Sequence, residues 1–217
     1  MLKANIAVLV SGGGTNLQAL LDAQHNGTLA SGCIQLVISS CAGAYALMRA
    51  ENCGIPAITV ERRTYKDRQA FETELLRLLE AYGIDVVVLA GFLCILSPQF
   101  VSRYPRRILN VHPSLIPAFC GKGYFGLKVH EAALRYGVKV TGATVHFVNE
   151  MPDGGEILLQ KAVEVQPNDT PESLQQRVMA QAEWILLPQA AELVCRSIAV
   201  SNPAVRRAAC ADPYTAR

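Results

Sequence analysis

The chain has 217 residues, 51% of them apolar and 18% charged, with a formal net charge of +2. This is the balance of a folded domain rather than a disordered chain, and so small a charge leaves no broad electrostatic footprint for nucleic acid or a membrane surface. No apolar run approaches the length of a membrane-crossing helix. Seven cysteines (Cys33, Cys41, Cys53, Cys94, Cys120, Cys195, Cys210) show no CxxC pair. Odd in number and with no secretory leader ahead of them, they are expected as reduced thiols of a cytoplasmic protein.

In chain order, Ile6 to Val10 is an apolar, β-branched run delivered into Ser11-Gly12-Gly13-Gly14, which reads as a buried strand ending in a tight turn. Leu17, Leu20 and Leu21 then recur at helical spacing. Strands are expected over 34–38 and 57–60, separated by a helix from Tyr45 to Asn52. Lys66 to Ala81 is amphipathic, with Phe71, Leu75, Leu78 and Leu79 on one face. The basic residues around it (Arg62, Arg63, Lys66, Arg68) read as a solvated face. Asp85 to Ala90 and Arg107 to His112 are further buried strands, the second closed by Pro113.

This alternation predicts an α/β fold: a Rossmann-like, doubly wound, mostly parallel sheet with helices on both faces. Later come a helix over 126–136, strands over 140–148 and 156–165, and a long helix from Thr170 to about Ile198, with Thr170 at its N-cap and Pro171 at N1. Residues 1–200 are expected to form a single domain, and 201–217 a poorly ordered tail.

Three segments fall at the carboxyl ends of expected parallel strands, where ligands bind in such sheets: 12–16, 91–96 and 110–113. The glycine run ahead of a helix lets an anion approach free N–H groups. It matches neither the dinucleotide fingerprint nor the Walker pattern, which leaves a phosphomonoester-sized site or a plain tight turn. Asn110 and His112 alternate onto one strand face, about 6.5 Å apart. Together they offer two donors for the oxyanion of an acyl transfer, although a histidine at a strand end is as often structural. Asp153, between Pro152 and two glycines, is either a turn aspartate or a carboxylate held beside His112. No His/Cys/Asp constellation has metal spacing, so no metal is expected.

Taken jointly and in order, these motifs (the glycine turn to Asn16, Ala90-Gly91-Phe92, 110–117, Val145-His146-Phe147-Val148 and Asp153-Gly154-Gly155) resemble the phosphoribosylglycinamide formyltransferase family. The stretch from Phe119 to His130 adds to the likeness with bacterial members. The resemblance covers about residues 5–198. It implies a catalytic trio of Asn110, His112 and Asp153. Ribonucleotide binding would involve Gly14, Thr15, Asn16 and a late-helix Glu183, in a helix one residue longer than the family's. The folate pterin would lie between Leu93, Cys94, Ile95, Leu96 and Asn149, Glu150, Met151, Pro152, Asp153, with Asn110 beside it and Arg68 near the benzoyl-glutamate end. Where the family commonly has Met-Arg, this chain has Leu93-Cys94.

The implied reaction is formyl transfer from 10-formyltetrahydrofolate, the co-substrate, to the amine of glycinamide ribonucleotide in purine biosynthesis. Partners would be small molecules only, with neither nucleic acid nor membrane, and the chain a monomer or homodimer. Formyl-folate hydrolysis is the nearest rival, although related hydrolases carry an extra N-terminal domain. Methionyl-tRNA formylation and a non-enzymatic ligand-binding module are the others.

Overall fold

The computed structural model of the protein describes residues 3–201; the expected tail beyond Ser201 lies outside them. Strands β1 (Ala4–Val10), β2 (Gly32–Ser39), β3 (Ala57–Thr59), β4 (Val86–Leu89), β5 (Ile108–His112), β6 (Val140–Phe147) and β7 (Ile157–Glu164) form one sheet in the order β3-β2-β1-β4-β5-β6-β7. The first five strands are parallel, and β6 and β7 are added antiparallel. The helices are α1 (Thr15–His25), α2 (Tyr45–Asn52), α3 (Arg68–Ala81), α4 (Pro98–Val101), α5 (Leu127–Tyr136), α6 (Pro171–Val178) and α7 (Trp184–Ser201).

Strand alternation divides the core between the two faces. Ile6, Val8 and Val10 of β1 join Leu17 and Leu20 of α1 and Leu187 and Ala190 of α7 on one side. Ala7 and Leu9 meet Phe71, Leu75 and Leu79 of α3 and Phe100 of α4 on the other. Being covered on both faces, β4 and β1 from Ile6 onward are apolar throughout rather than alternating, and each fully buried side chain of this kind contributes roughly 1.5–3 kcal/mol. The strand order reverses between β1 and β4, which opens a crevice beyond their carboxyl ends.

Three details depart from expectation. Helix α4 is an additional turn, started by Ser97, whose hydroxyl accepts from the Phe100 N–H at 3.2 Å with Pro98 at the first position. The late helix is divided: α6 is followed by a π-helical turn, Met179–Glu183, before α7 begins. A π turn holds about one residue more than an α turn, and this one ends at Glu183. Finally, Cys41, Cys53, Cys94, Cys120 and Cys195 are free thiols but Cys33 is disulfide-bonded, which corrects the expectation of uniformly reduced cysteines. No helix among the described residues is long and apolar enough to cross a membrane.

Candidate active site

The crevice is a cleft of about 710 Å³ lined by Gly12–Asn16, Ala90–Ile95, Asn110–Pro113, Gly121–Gly126, Asp153 and Glu183, among others. The three strand-end segments therefore meet, and two further loops complete the walls. At one end the glycine turn starts α1 with no side chain capping its first N–H groups, which leaves donors and the positive end of the helix dipole for an anion. Gly14 holds φ +72°, and a Cβ there would lie 2.6 Å from the Ala46 Cβ; at Gly12 and Gly13 it would meet nothing. Gly14 is thus fixed by packing, and its two neighbours are open to the cleft. Asn16 donates to Glu183 Oε2 at 2.7 Å, while its own buried Oδ1 has no partner. Burial raises the Glu183 carboxyl to about 7 against the opposing pull of Asn16.

The centre of the cleft holds the expected trio. Asn110 and His112 lie on β5, and Asp153 reaches them from the loop after β6 with φ +55°. An aspartate in that conformation costs about 1–3 kcal/mol, which a tightly specified loop must offset. Met151 N–H donates to Asn149 Oδ1, Gly154 N–H to the Met151 carbonyl, and Asn149 Nδ2 to the Gly154 carbonyl. Gly155 is obligatory there, since a Cβ would stand 1.6 Å from the Phe147 carbonyl oxygen.

The Asp153 carboxylate does not turn back on its own loop. Oδ2 accepts from the Gly121 N–H at 2.8 Å and lies 3.5 Å from His112 Nδ1; Oδ1 is 3.5 Å from Asn110 Nδ2 and 3.6 Å from His146 Nε2. Burial works to raise its pKa, but His146, His112 and the Gly121 N–H together hold it below the usual carboxylate range.

His112 is 4% exposed. Its Nε2–H donates to the Phe119 carbonyl at 2.9 Å, which leaves Nδ1 as the position facing Asp153. Burial pulls the imidazole below its ordinary pKa, while Asp153 and the Phe119 carbonyl push it upward without prevailing. The neutral ring is therefore the resting form, and Asp153 moderates the cost of charging it.

A second, smaller cavity of about 120 Å³ adjoins the trio, lined by Leu89, Phe92, Cys94, Ile95, Leu96, Asn110, His146 and 148–153. It gathers most of the positions that the resemblance assigns to the pterin: Cys94, Ile95 and Leu96 on one wall, Asn149, Glu150, Met151, Pro152 and Asp153 on the other. Leu93 lines the larger cleft instead. Arg68 lines neither cavity and pairs with Glu72 at 2.9 Å. Glu72 in turn accepts from the N–H and hydroxyl of Ser97, tying α3 to the segment after Leu96. Among the described residues no group of three His, Cys, Asp or Glu side chains is placed to hold a metal ion.

His146 is a site residue beyond the expected trio. It stands directly opposite Asn110 in the β5–β6 pairing, donates through Nδ1 to the Phe147 carbonyl at 2.9 Å, and through Nε2 receives the Asn110 amide at 3.1 Å. That contact orients the Asn110 side chain. Only antiparallel register brings the two together, so the available signal was alternation within Val145-His146-Phe147.

Residues 4–190 match the family model described as Formyl transferase. The chain is 43% identical over 181 residues to the phosphoribosylglycinamide formyltransferase of Escherichia coli K12, covering 83% of this chain and 82% of that one. It is 45% identical over 192 residues to the human trifunctional purine biosynthetic protein adenosine-3, covering 88% of this chain but only 18% of the length of that larger protein. The crystal structure of glycinamide ribonucleotide transformylase 1 from Symbiobacterium toebii superposes with a TM-score of 0.84 at 43% identity, covering 90% of this chain and 89% of that chain. With sequence, fold and cleft in agreement, the chain belongs to the formyl transferase family, in its phosphoribosylglycinamide formyltransferase branch.

Proposed function

We propose that this protein transfers the formyl group of 10-formyltetrahydrofolate to the primary amine of glycinamide ribonucleotide. The observation that carries the reading is the meeting of Asn110, His112 and Asp153 between an uncapped helix start and a second cavity. The glycine turn suits the ribonucleotide phosphate, and the unpartnered Asn16 Oδ1 and raised Glu183 carboxyl suit a sugar hydroxyl. The smaller cavity suits the pterin, with Cys94 contributing a wall in place of an arginine.

In this reading the neutral amine attacks the formyl carbon directly, forming a C–N bond and an oxyanion. Asn110 keeps its amide on His146 and exchanges its weak 3.5 Å contact with Asp153 for the oxyanion. His112 first takes a proton from solvent at Nδ1, facing Asp153, and its positive charge then stands beside the developing oxyanion. Collapse breaks the bond from the formyl carbon to the folate nitrogen, and the proton lost by the amine arrives on that nitrogen. One positioned oxyanion donor is worth about 3 kcal/mol, and holding both substrates in one cleft about 7 kcal/mol or more.

The decisive experiment is a formyl-transfer assay with both substrates beside a control lacking acceptor. Formylated product that requires the acceptor supports the reading; formate released at the same rate without it identifies a folate hydrolase instead. A cytoplasmic setting belongs to the same proposal, with the five free thiols among the described residues in its favour and the disulfide at Cys33 against it. So does a monomeric or homodimeric state, which light scattering measures.

A further inference from the structure

On the reading just given, the cleft receives a phosphomonoester, yet it carries little positive charge. Among the described residues that line it, Lys122 is the one lysine or arginine, set against the carboxyl groups of Asp153 and Glu183. The other nearby cations are engaged elsewhere. Arg49 stands behind the glycine turn, donating through Nε to the Gly13 carbonyl at 2.9 Å and through Nη1 to Gln18 at 2.8 Å, and it lines a neighbouring groove. Arg68 is held by Glu72 outside the cleft.

Lys122 itself is exposed, between Gly121 at φ +87° and Gly123 at φ +96°. A Cβ on either glycine would touch nothing, so the turn is sparsely packed around its lysine. The same turn is anchored in the site, because the Gly121 N–H donates to Asp153. An extended lysine side chain reaches about 6 Å from its Cα, enough to extend from this anchored turn into the cleft.

We propose that Lys122 is a positioning and specificity residue for the acceptor: it supplies the positive charge that pairs with the acceptor's phosphomonoester, complementing the N–H groups at the start of α1. This rests on the proposed reading of the site. Lysine fits the task as a compact point charge on a flexible stem. Being exposed, its attraction is screened by salt.

The test compares wild type, Lys122→Gln and Lys122→Arg in steady-state formyl transfer, with glycinamide ribonucleotide and with its dephosphorylated riboside, at low and high salt. Lys122→Gln is expected to raise KM for the phosphorylated acceptor about tenfold at low salt, with the loss falling on KM rather than kcat and shrinking at high salt. Lys122→Arg restores most of it. KM for the riboside and for the folate stays the same. An unchanged KM for the phosphorylated acceptor, or an equal rise with the riboside, overturns the proposal. A rise confined to folate KM also overturns it and gives Lys122 to the folate carboxylates. Should the wild type transfer no formyl group, the function reading fails on its own, and calorimetry with inorganic phosphate still decides the site. Phosphate binding that Lys122→Gln weakens supports it, and binding that is equal or absent in both proteins sinks it.

Discussion

His112 is the residue whose chemistry is most constrained by its surroundings. Its ring is buried, one nitrogen is committed to a carbonyl and the other faces a carboxylate. His112→Ala is expected to keep the fold and lower turnover about a hundredfold or more, because it removes the positive charge that stands beside the developing oxyanion. Near-normal turnover in a folded variant would end the assignment. The pairing with Asp153 has its own test. Since Asp153 raises the His112 pKa and burial lowers it further than Asp153 can restore, Asp153→Asn should move the titration lower still. Rate is then lost most at neutral pH and recovers in part on acidification. Recovery stays incomplete because the acceptor amine protonates as well. NMR titration of the ring in both proteins is the measurement, and coincident curves would leave Asp153 with no electrostatic role.

At the scale of elements, the glycine turn separates two duties that a sequence alone merges. Gly14 is dictated by a left-handed backbone and by contact with Ala46, whereas Gly13 has open space beside it. Gly14→Val is therefore expected to cost about 1–3 kcal/mol of stability from the backbone conformation alone. Gly13→Val is expected to melt normally and raise KM for the acceptor far more than for the folate, because its side chain obstructs the anion's approach. Thermal melts and paired KM values distinguish the cases; equal weakening of both substrates by Gly13→Val would remove phosphate binding from this turn. The π-helical turn is the other element with a site consequence. It ends at Glu183, whose side chain meets Asn16 from the opposite end of the chain.

For the molecule as a whole, His130 links pH to stability. It is fully buried on α5, both ring nitrogens lack partners, and burial lowers its pKa to about 4, with His112 adding to the shift. The folded state therefore binds fewer protons than the unfolded state between about 4 and the ordinary 6.5, so stability rises with pH through that window and is lost on acidification. The shift corresponds to about 3 kcal/mol. His130→Leu, which fills similar space without a titrating ring, should lose about 3 kcal/mol less than wild type between pH 7 and pH 4 in urea unfolding. Parallel losses in the two proteins would show that His130 does not contribute.

Local patterning determined much of this protein. Runs such as 6–10 and 86–89 are strands because apolar β-branched residues bury on both faces of a parallel sheet, and Thr170-Pro171 starts a helix because its first N–H groups need a cap. The alternation that puts Asn110 and His112 on one face is equally local. Tertiary structure decided what depends on residues distant in sequence. Asn110 meets His146 through antiparallel register, Asp153 bonds to the Gly121 N–H rather than to its own loop, and Glu183 reaches Asn16. Burial, which sets whether His112 rests neutral and whether Glu183 holds its proton, arises only when elements pack together. A one-dimensional pattern specifies which face a side chain takes, but desolvation and partner geometry are properties of the assembled sheet, helices and loops.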